Sequence, residues 1–170
     1  YDYPCQILYL PQNPNSSASI GYLRNEYLRI KEVIEGVVGH EVTEEDLRKS
    51  LAVFNKNRSL LSDLYAIKRE TPWKISAEDA YSLVAVAGLI PREEHNELME
   101  YVLPLIAHVD AKKEDRIRVV FEGAFCEQPP LDLVRTIGRS CYVVDDDFLI
   151  GMRYITEDIP LGEDPLQDMA

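Results

Sequence analysis

Two short segments gather the side chains that could do chemistry: Glu122-Gly-Ala-Phe-Cys-Glu-Gln-Pro-Pro130 and Asp145-Asp-Asp-Phe148. The first offers one thiol, Cys126, set among Phe125, Glu127 and Gln128. It follows Gly123, which can act as a hinge or simply end a strand. The second, Asp145, Asp146 and Asp147, offers the hard carboxylate oxygens that suit Mg or Ca. Three consecutive acids also serve as cap and turn residues, and a lone loop cysteine is commonly inert. Each segment therefore has a bland reading beside the chemical one. Cys5 and Cys141 are far from Cys126, with no Cys-x-x-Cys pair among the three cysteines. Cys141 heads an apolar run and reads as core. His40, His95 and His108 lack ligand-like spacing and read as structural. Trp73 reads as a packing anchor, and Arg135, Arg139 and Arg153 as solvated charge or as contacts for phosphate.

The elements that would position these segments follow from periodicity. Cys5–Leu10 is a short apolar run stopped by Pro11, a strand or an extended lead-in. Ser19 can cap a helix carrying Leu23, Tyr27, Ile30, Ile34 and Val37, with Gly39 as its stop. Thr43-Glu-Glu-Asp46 is close to a capping box and opens a second helix with Leu47, Leu51, Phe54, Leu61 and Tyr65 on one stripe. Ser76 opens a third, and Pro91 a fourth that Pro104 should kink. The period then changes. Ile117–Phe121 is rich in β-branched residues and reads as a buried strand. A loop follows, then a short helix from Leu131 to Ile137 stopped by Gly138, then a strand over Cys141–Val144. Strand, helix, strand implies a parallel pair with a right-handed crossover. Ligands in such sheets bind beyond the carboxyl ends of the strands. Both chemical segments leave those ends, so one crevice should hold them.

The expected fold class is α/β: a helical layer of about four helices, then a βαβ unit belonging to a parallel sheet of partial Rossmann or flavodoxin-like kind. Residues 1–18 would end a preceding α/β domain or lead into the helices. Residues 19–110 would form the helical region, and 116–170 the start of a second, incomplete α/β domain. The tail from Glu157 reads as loop.

Composition narrows the function classes. Of 170 residues, 46% are hydrophobic, enough for a packed core. Eighteen Lys and Arg against thirty Asp and Glu give a net charge of -12, which argues against nucleic acid and against an anionic membrane surface. No long apolar run or basic leader is visible, and cysteine usage suits a reducing compartment, so a cytoplasmic location is expected. The chain starts at Tyr1 in what reads as mid-domain sequence, so an internal piece of a larger protein is expected.

Taken in order, Val42-Thr-Glu-Glu-Asp-Leu47, Phe54-Asn-Lys-Asn-Arg58, Pro91-Arg-Glu-Glu-His-Asn96, Phe125-Cys-Glu-Gln-Pro-Pro-Leu131 and Cys141-Tyr-Val-Val-Asp-Asp-Asp-Phe148 span nearly the whole chain. Together they resemble the C-type subunit of class I, ATP-dependent benzoyl-CoA reductases, in the 2-hydroxyacyl-CoA dehydratase D-component superfamily. The resemblance implies an oxygen-sensitive iron–sulfur oxidoreductase that reduces the aromatic ring of benzoyl-CoA to a cyclic dienoyl-CoA. It implies a [4Fe-4S] cluster in the intact subunit, with ligands expected outside this chain. It also implies a related B-type subunit, an activator that hydrolyses ATP, and a ferredoxin-type electron donor. Cys126 is the one thiol on the expected substrate side, and no cluster-ligand set is carried over to Cys5, Cys126 and Cys141. The related dehydratases differ in the loop at 125–130, which favours the reductase branch, and on its own the chain is expected to be inactive. A 2-hydroxyacyl-CoA dehydratase subunit, a non-catalytic subunit-interface module and a Mg-binding receiver-like module remain as competing readings.

Overall fold

The computed structural model describes residues 5–123, 129–147 and 157–170. The chain divides into two compact units, Tyr1–Ala52 with Ile159–Ala170, and Val53–Asp158. The division falls inside one long helix.

In the first unit, α1 spans Ser19–Val38 and α2 begins at Glu44. Ser19 was expected to cap α1, but Ala18 occupies the cap position without a side-chain bond. The Ser19 hydroxyl instead points back to the carbonyls of Pro14 and Ser16, at 2.8 and 2.7 Å, and so closes the preceding turn. Cys5–Leu10 is not a strand. It is held as a lead-in by Arg29, which donates to Gln6 Oε1 and to the Ile7 carbonyl. Gly39 ends α1 as read, with φ 77° and its amide donating to the Glu35 carbonyl at 2.8 Å. A side chain there meets the steric cost of left-handed backbone, so Gly39→Ala is expected to lower stability by about 1 kcal/mol in urea unfolding. The box at Thr43 forms: Asp46 N–H donates to Thr43 Oγ1 at 3.2 Å, and Asp46 Oδ2 accepts from Thr43 N–H at 3.0 Å. The tail is more ordered than a loop. Asp164 caps a short helix, α6 (Pro165–Asp168), and also pairs with Arg24 of α1 at 2.8 Å.

In the second unit, α2 continues to Glu70, followed by a 3-10 turn at Pro72–Lys74, α3 (Ala77–Val86) and α4 (Arg92–Ala107). Ser76 caps α3 by accepting from Asp79 N–H at 3.0 Å. The α4 helix runs through Pro104 to Ala107. The core between these helices is Leu61 and Leu64 of α2 with Met99, Leu103 and Ile106 of α4, edged by Leu83 and Val84 of α3. That is the apolar spacing of each helix turned inward.

The second unit also holds β1 (Ile117–Phe121), α5 (Leu131–Ser140) and β2 (Cys141–Asp146), with β1 and β2 parallel. The fold is therefore α/β, helices followed by strand, helix and strand. Two local expectations change. Gly138 does not stop α5; a Cβ there would sit 3.0 Å from Ala77 Cβ, so the glycine sets how closely α5 approaches the start of α3. Nor is β1 buried, since Ile117 is 75% and Val120 60% exposed. Parallel strands are buried by covering helices and neighbours on both sides, and among the described residues β1 pairs only with β2. No described helix is long and apolar enough to cross a membrane.

Candidate functional site

The register of the sheet controls where the acidic segment goes. Ile117 to Val119 pair with Cys141 to Val143 in step, but Val120 pairs with Asp145, leaving Val144 as an extra residue in β2. Successive residues of a regular strand point to opposite faces, and a bulge re-aims those that follow it. Here Asp145 and Asp146 both reach α2. Asp145 Oδ2 pairs with Arg69 Nη1 at 3.1 Å. Asp146 accepts from the Tyr65 hydroxyl at 2.9 Å and pairs with Lys68 through its other oxygen. Tyr65, Lys68 and Arg69 are spaced i, i+3, i+4, one face of the helix. The Lys68 ammonium also lies 4.1 Å from the Tyr65 ring centroid.

This cluster is buried, with Tyr65 1% and Lys68 3% exposed. Burial, reinforced by the Asp146 carboxylate, pushes the Tyr65 phenol well above its ordinary pKa. Burial pushes the Lys68 ammonium down, against the opposing pull of Asp146. The phenol therefore keeps its proton and donates it to a hydrogen bond. Two carboxylates that looked available for a cation are already compensated by protein cations.

Asp147 does something different. Its amide donates to the Phe121 carbonyl at 3.0 Å, and its Oδ1 accepts from Gly123 N–H at 2.8 Å. The two strand ends are thus joined, with Gly123, two residues past β1, held at Asp147. Just before α5, the Tyr81 hydroxyl donates to the Pro129 carbonyl at 3.3 Å. The Tyr81 phenol too is raised, chiefly by burial. Phe125, Cys126, Glu127 and Gln128 lie outside the described residues, as do Phe148 and Arg153.

Sequence reasoning did not see Tyr65, Lys68, Arg69 or Tyr81 as part of this edge. The available signal was a basic pair continuing the apolar stripe of α2 just before Pro72, together with an acidic strand end needing compensation.

A second polar cluster lies between α2 and α4. Asn57 Nδ2 donates to His95 Nδ1 and to Asn96 Oδ1, both at 2.7 Å. The other ring nitrogen, His95 Nε2, faces the Leu83 carbonyl at 2.9 Å, so the donor tautomer at Nε2 fits both contacts. Arg92 Nη1 donates to Asn57 Oδ1 at 3.2 Å, and Asn96 Nδ2 to the Val53 carbonyl at 3.1 Å. Burial is the chief cause holding the His95 imidazole below its ordinary pKa, so it stays neutral. The motifs Phe54–Arg58 and Pro91–Asn96, distant in sequence, meet here.

An iron–sulfur cluster normally takes four thiolates. The described residues supply two thiols, exposed Cys5 and half-buried Cys141. Cys141 donates to the Ile137 carbonyl at 3.2 Å, and burial raises its pKa. Two thiols do not make up that set, and among the described residues no group of three or more His, Cys, Asp or Glu is placed to hold a metal.

The sequence is similar to known proteins over most of its length. The model of the family described as 2-hydroxyglutaryl-CoA dehydratase, D-component, matches residues 1–170. The chain is 36% identical over 162 residues to the C-type subunit of the benzoyl-CoA reductase of Thauera aromatica, covering 95% of this chain and 42% of that protein. It is 27% identical over 169 residues to the beta subunit of the lactoyl-CoA dehydratase of Anaerotignum propionicum, covering 98% and 45%. It is 25% identical over 143 residues to the beta subunit of the (R)-2-hydroxyglutaryl-CoA dehydratase of Acidaminococcus fermentans, covering 84% and 38%. The chain spans less than half the length of these curated relatives.

Proposed function

The chain belongs to the 2-hydroxyglutaryl-CoA dehydratase D-component family, and from that premise we propose that it is part of a reductase subunit acting on benzoyl-CoA. The observation that carries the reductase reading is the difference in identity, 36% to the reductase relative against 27% to the lactoyl-CoA dehydratase relative. The loop and strand-end motifs Phe125–Leu131 and Cys141–Phe148 support it.

The reaction is the addition of two electrons and two protons to the aromatic ring, giving a cyclic dienoyl-CoA. The electrons come from a low-potential donor of ferredoxin type through an ATP-hydrolysing partner, and the enzyme is completed in the cytoplasm by a related B-type subunit. In this reading Gly123 and Asp145–Asp147 form an edge of the substrate-side scaffold. Asp147 holds Gly123, and Tyr81 holds Pro129 just before α5. Tyr65, Lys68 and Arg69 hold Asp145 and Asp146, and so hold the end of β2. Their role is positioning.

The test is an anaerobic assay of the complete enzyme from its native host, with benzoyl-CoA, ATP and a reduced low-potential donor. The expected result is loss of the aromatic chromophore with ATP hydrolysis and formation of a diene. Dehydration of a 2-hydroxyacyl-CoA with benzoyl-CoA left intact would overturn the reading.

A further inference from the structure

The two strands of the sheet are covered unequally. In β2, Tyr142, Val143 and Val144 are each 8% exposed. Successive residues of a strand face opposite sides, so β2 is covered on both. α5 and the turn at Pro72–Lys74 pack on it, with Trp73 edge to face on Tyr142 at 6.4 Å between centroids. α2 reaches its carboxyl end through Asp145 and Asp146. In β1 the cover stops. Ile117 and Val120, three positions apart and so on opposite faces, are 75% and 60% exposed. Arg118, the register neighbour of buried Tyr142, is exposed as well.

The composition of β1 does not suit that exposure. Ile-Arg-Val-Val-Phe is close to the continuous apolar run of a parallel strand buried on both faces. A strand left at an edge is ordinarily guarded by Lys, Pro, a charge or a bulge. In this sheet the extra residue is in β2, and the one charge of β1, Arg118, is spent on the Arg69 carbonyl. Among the described residues β1 pairs only with β2, and an isolated strand pair is marginal in water.

That edge and faces lie open together narrows what covers them. A bare peptide would supply edge hydrogen bonds and leave the faces open. A strand of the same chain running parallel to β1 must be reached by a crossover, usually a helix, that packs back on the sheet. One strand–helix segment therefore closes the edge and covers a face at once. The relatives have the length for it, since this chain matches 42% of the reductase relative and 45% of the lactoyl-CoA dehydratase relative. We propose that in the complete protein a further strand of the same polypeptide lies parallel to β1 on its outer edge, with its crossover helix on one face of β1. β1 then becomes an inner strand, with β2 on one side and the added strand on the other. The strand order reverses there, and the crevice at such a reversal opens beyond the carboxyl end, beside Gly123 and Asp147.

Residue-resolved hydrogen exchange of the complete protein, alone and in its native assembly, tests the proposal. Consecutive strand amides point to opposite edges, so a free edge leaves at least one of Arg118, Val119 and Val120 exchanging as in an unfolded chain. With the added strand in place, all three should exchange about a hundredfold or more slower, alone as in the assembly. Ile117→Thr and Val120→Thr probe one face each. At least one should lower the melting temperature of the complete protein by about 2 °C or more, because a hydroxyl would lie under the crossover helix. A fast amide among the three in the protein alone would overturn the proposal. So would protection that appears only on assembly, because the strand would then belong to a partner. Melting unchanged in both variants would also overturn it, because both faces would still be open. None of these outcomes depends on which reaction the enzyme catalyses.

Discussion

Asp146→Ala is expected to destabilise the protein by about 3 kcal/mol in urea unfolding, because it leaves the Lys68 ammonium buried without its carboxylate. Lys68 is 4% and Asp146 12% exposed at the side chain, so water replaces little of what is lost. The sign of the pH dependence follows from the depressed Lys68 pKa. A base whose folded pKa lies below its unfolded value costs stability while it must stay charged, and that cost fades as pH rises toward the ordinary lysine value. Removing the carboxylate takes away the interaction that raises this pKa. The deficit of the variant should therefore be largest near neutrality and shrink on going alkaline. The double change Lys68→Met with Asp146→Asn should recover much of the loss, since it removes the charge and keeps an acceptor for Tyr65. A deficit that does not change with pH, or a double variant no better than the single one, would show that the pair is not the cause.

Asn57→Ala should cost about 2 kcal/mol or more, the second largest effect expected. One carboxamide supplies donors to His95 and Asn96 and an acceptor to Arg92, and Asn57 and His95 are both fully buried. Removing it leaves two buried acceptors without their donors. The same network predicts a pH response. His95 is held neutral, so stability falls as pH drops through the ordinary imidazole value, where the unfolded chain takes up a proton that the folded one resists. His95→Gln can keep an acceptor toward Asn57 and a donor toward Leu83 without titrating. Its unfolding free energy should fall less between neutral and mildly acid pH than that of the native protein. Parallel curves for the two would assign the acid sensitivity elsewhere.

Much of the helical part was legible because its signals are local. The Thr43 box, the Ser76 cap, Gly39 at the end of α1 and the parallel strand pair each depend on residues a few positions apart, or on a change of hydrophobic period. Ser19 and Gly138 misled for one common reason. A hydroxyl near a helix start and a glycine near a helix end are ambiguous until the neighbouring backbone is placed. At Ser19 the neighbour was the Pro14–Ser16 turn, and at Gly138 it was the start of α3. At the site, the sequence marked Gly123 and Asp145–Asp147 as one edge, and Gly123 and Asp147 do meet through a hydrogen bond. It could not separate Asp147 from its two neighbours, since three identical side chains in a row carry no signal of which way each will face.

The α/β class, the order of the elements and the motifs that link the chain to the dehydratase and reductase subunits are written along the chain. These rest on spacing and on residue identity, which the chain carries unaided. What the acids and the buried polar residues do emerges from packing across the fold. The extra residue at Val144 turns Asp145 and Asp146 onto Tyr65, Lys68 and Arg69, about eighty positions away in sequence, and leaves Asp147 to tie the strand ends. The same packing brings Asn57 to His95. Such pairings depend on distances across the fold, because electrostatic compensation and hydrogen bonding act over a few ångströms, and no local pattern along the chain records them.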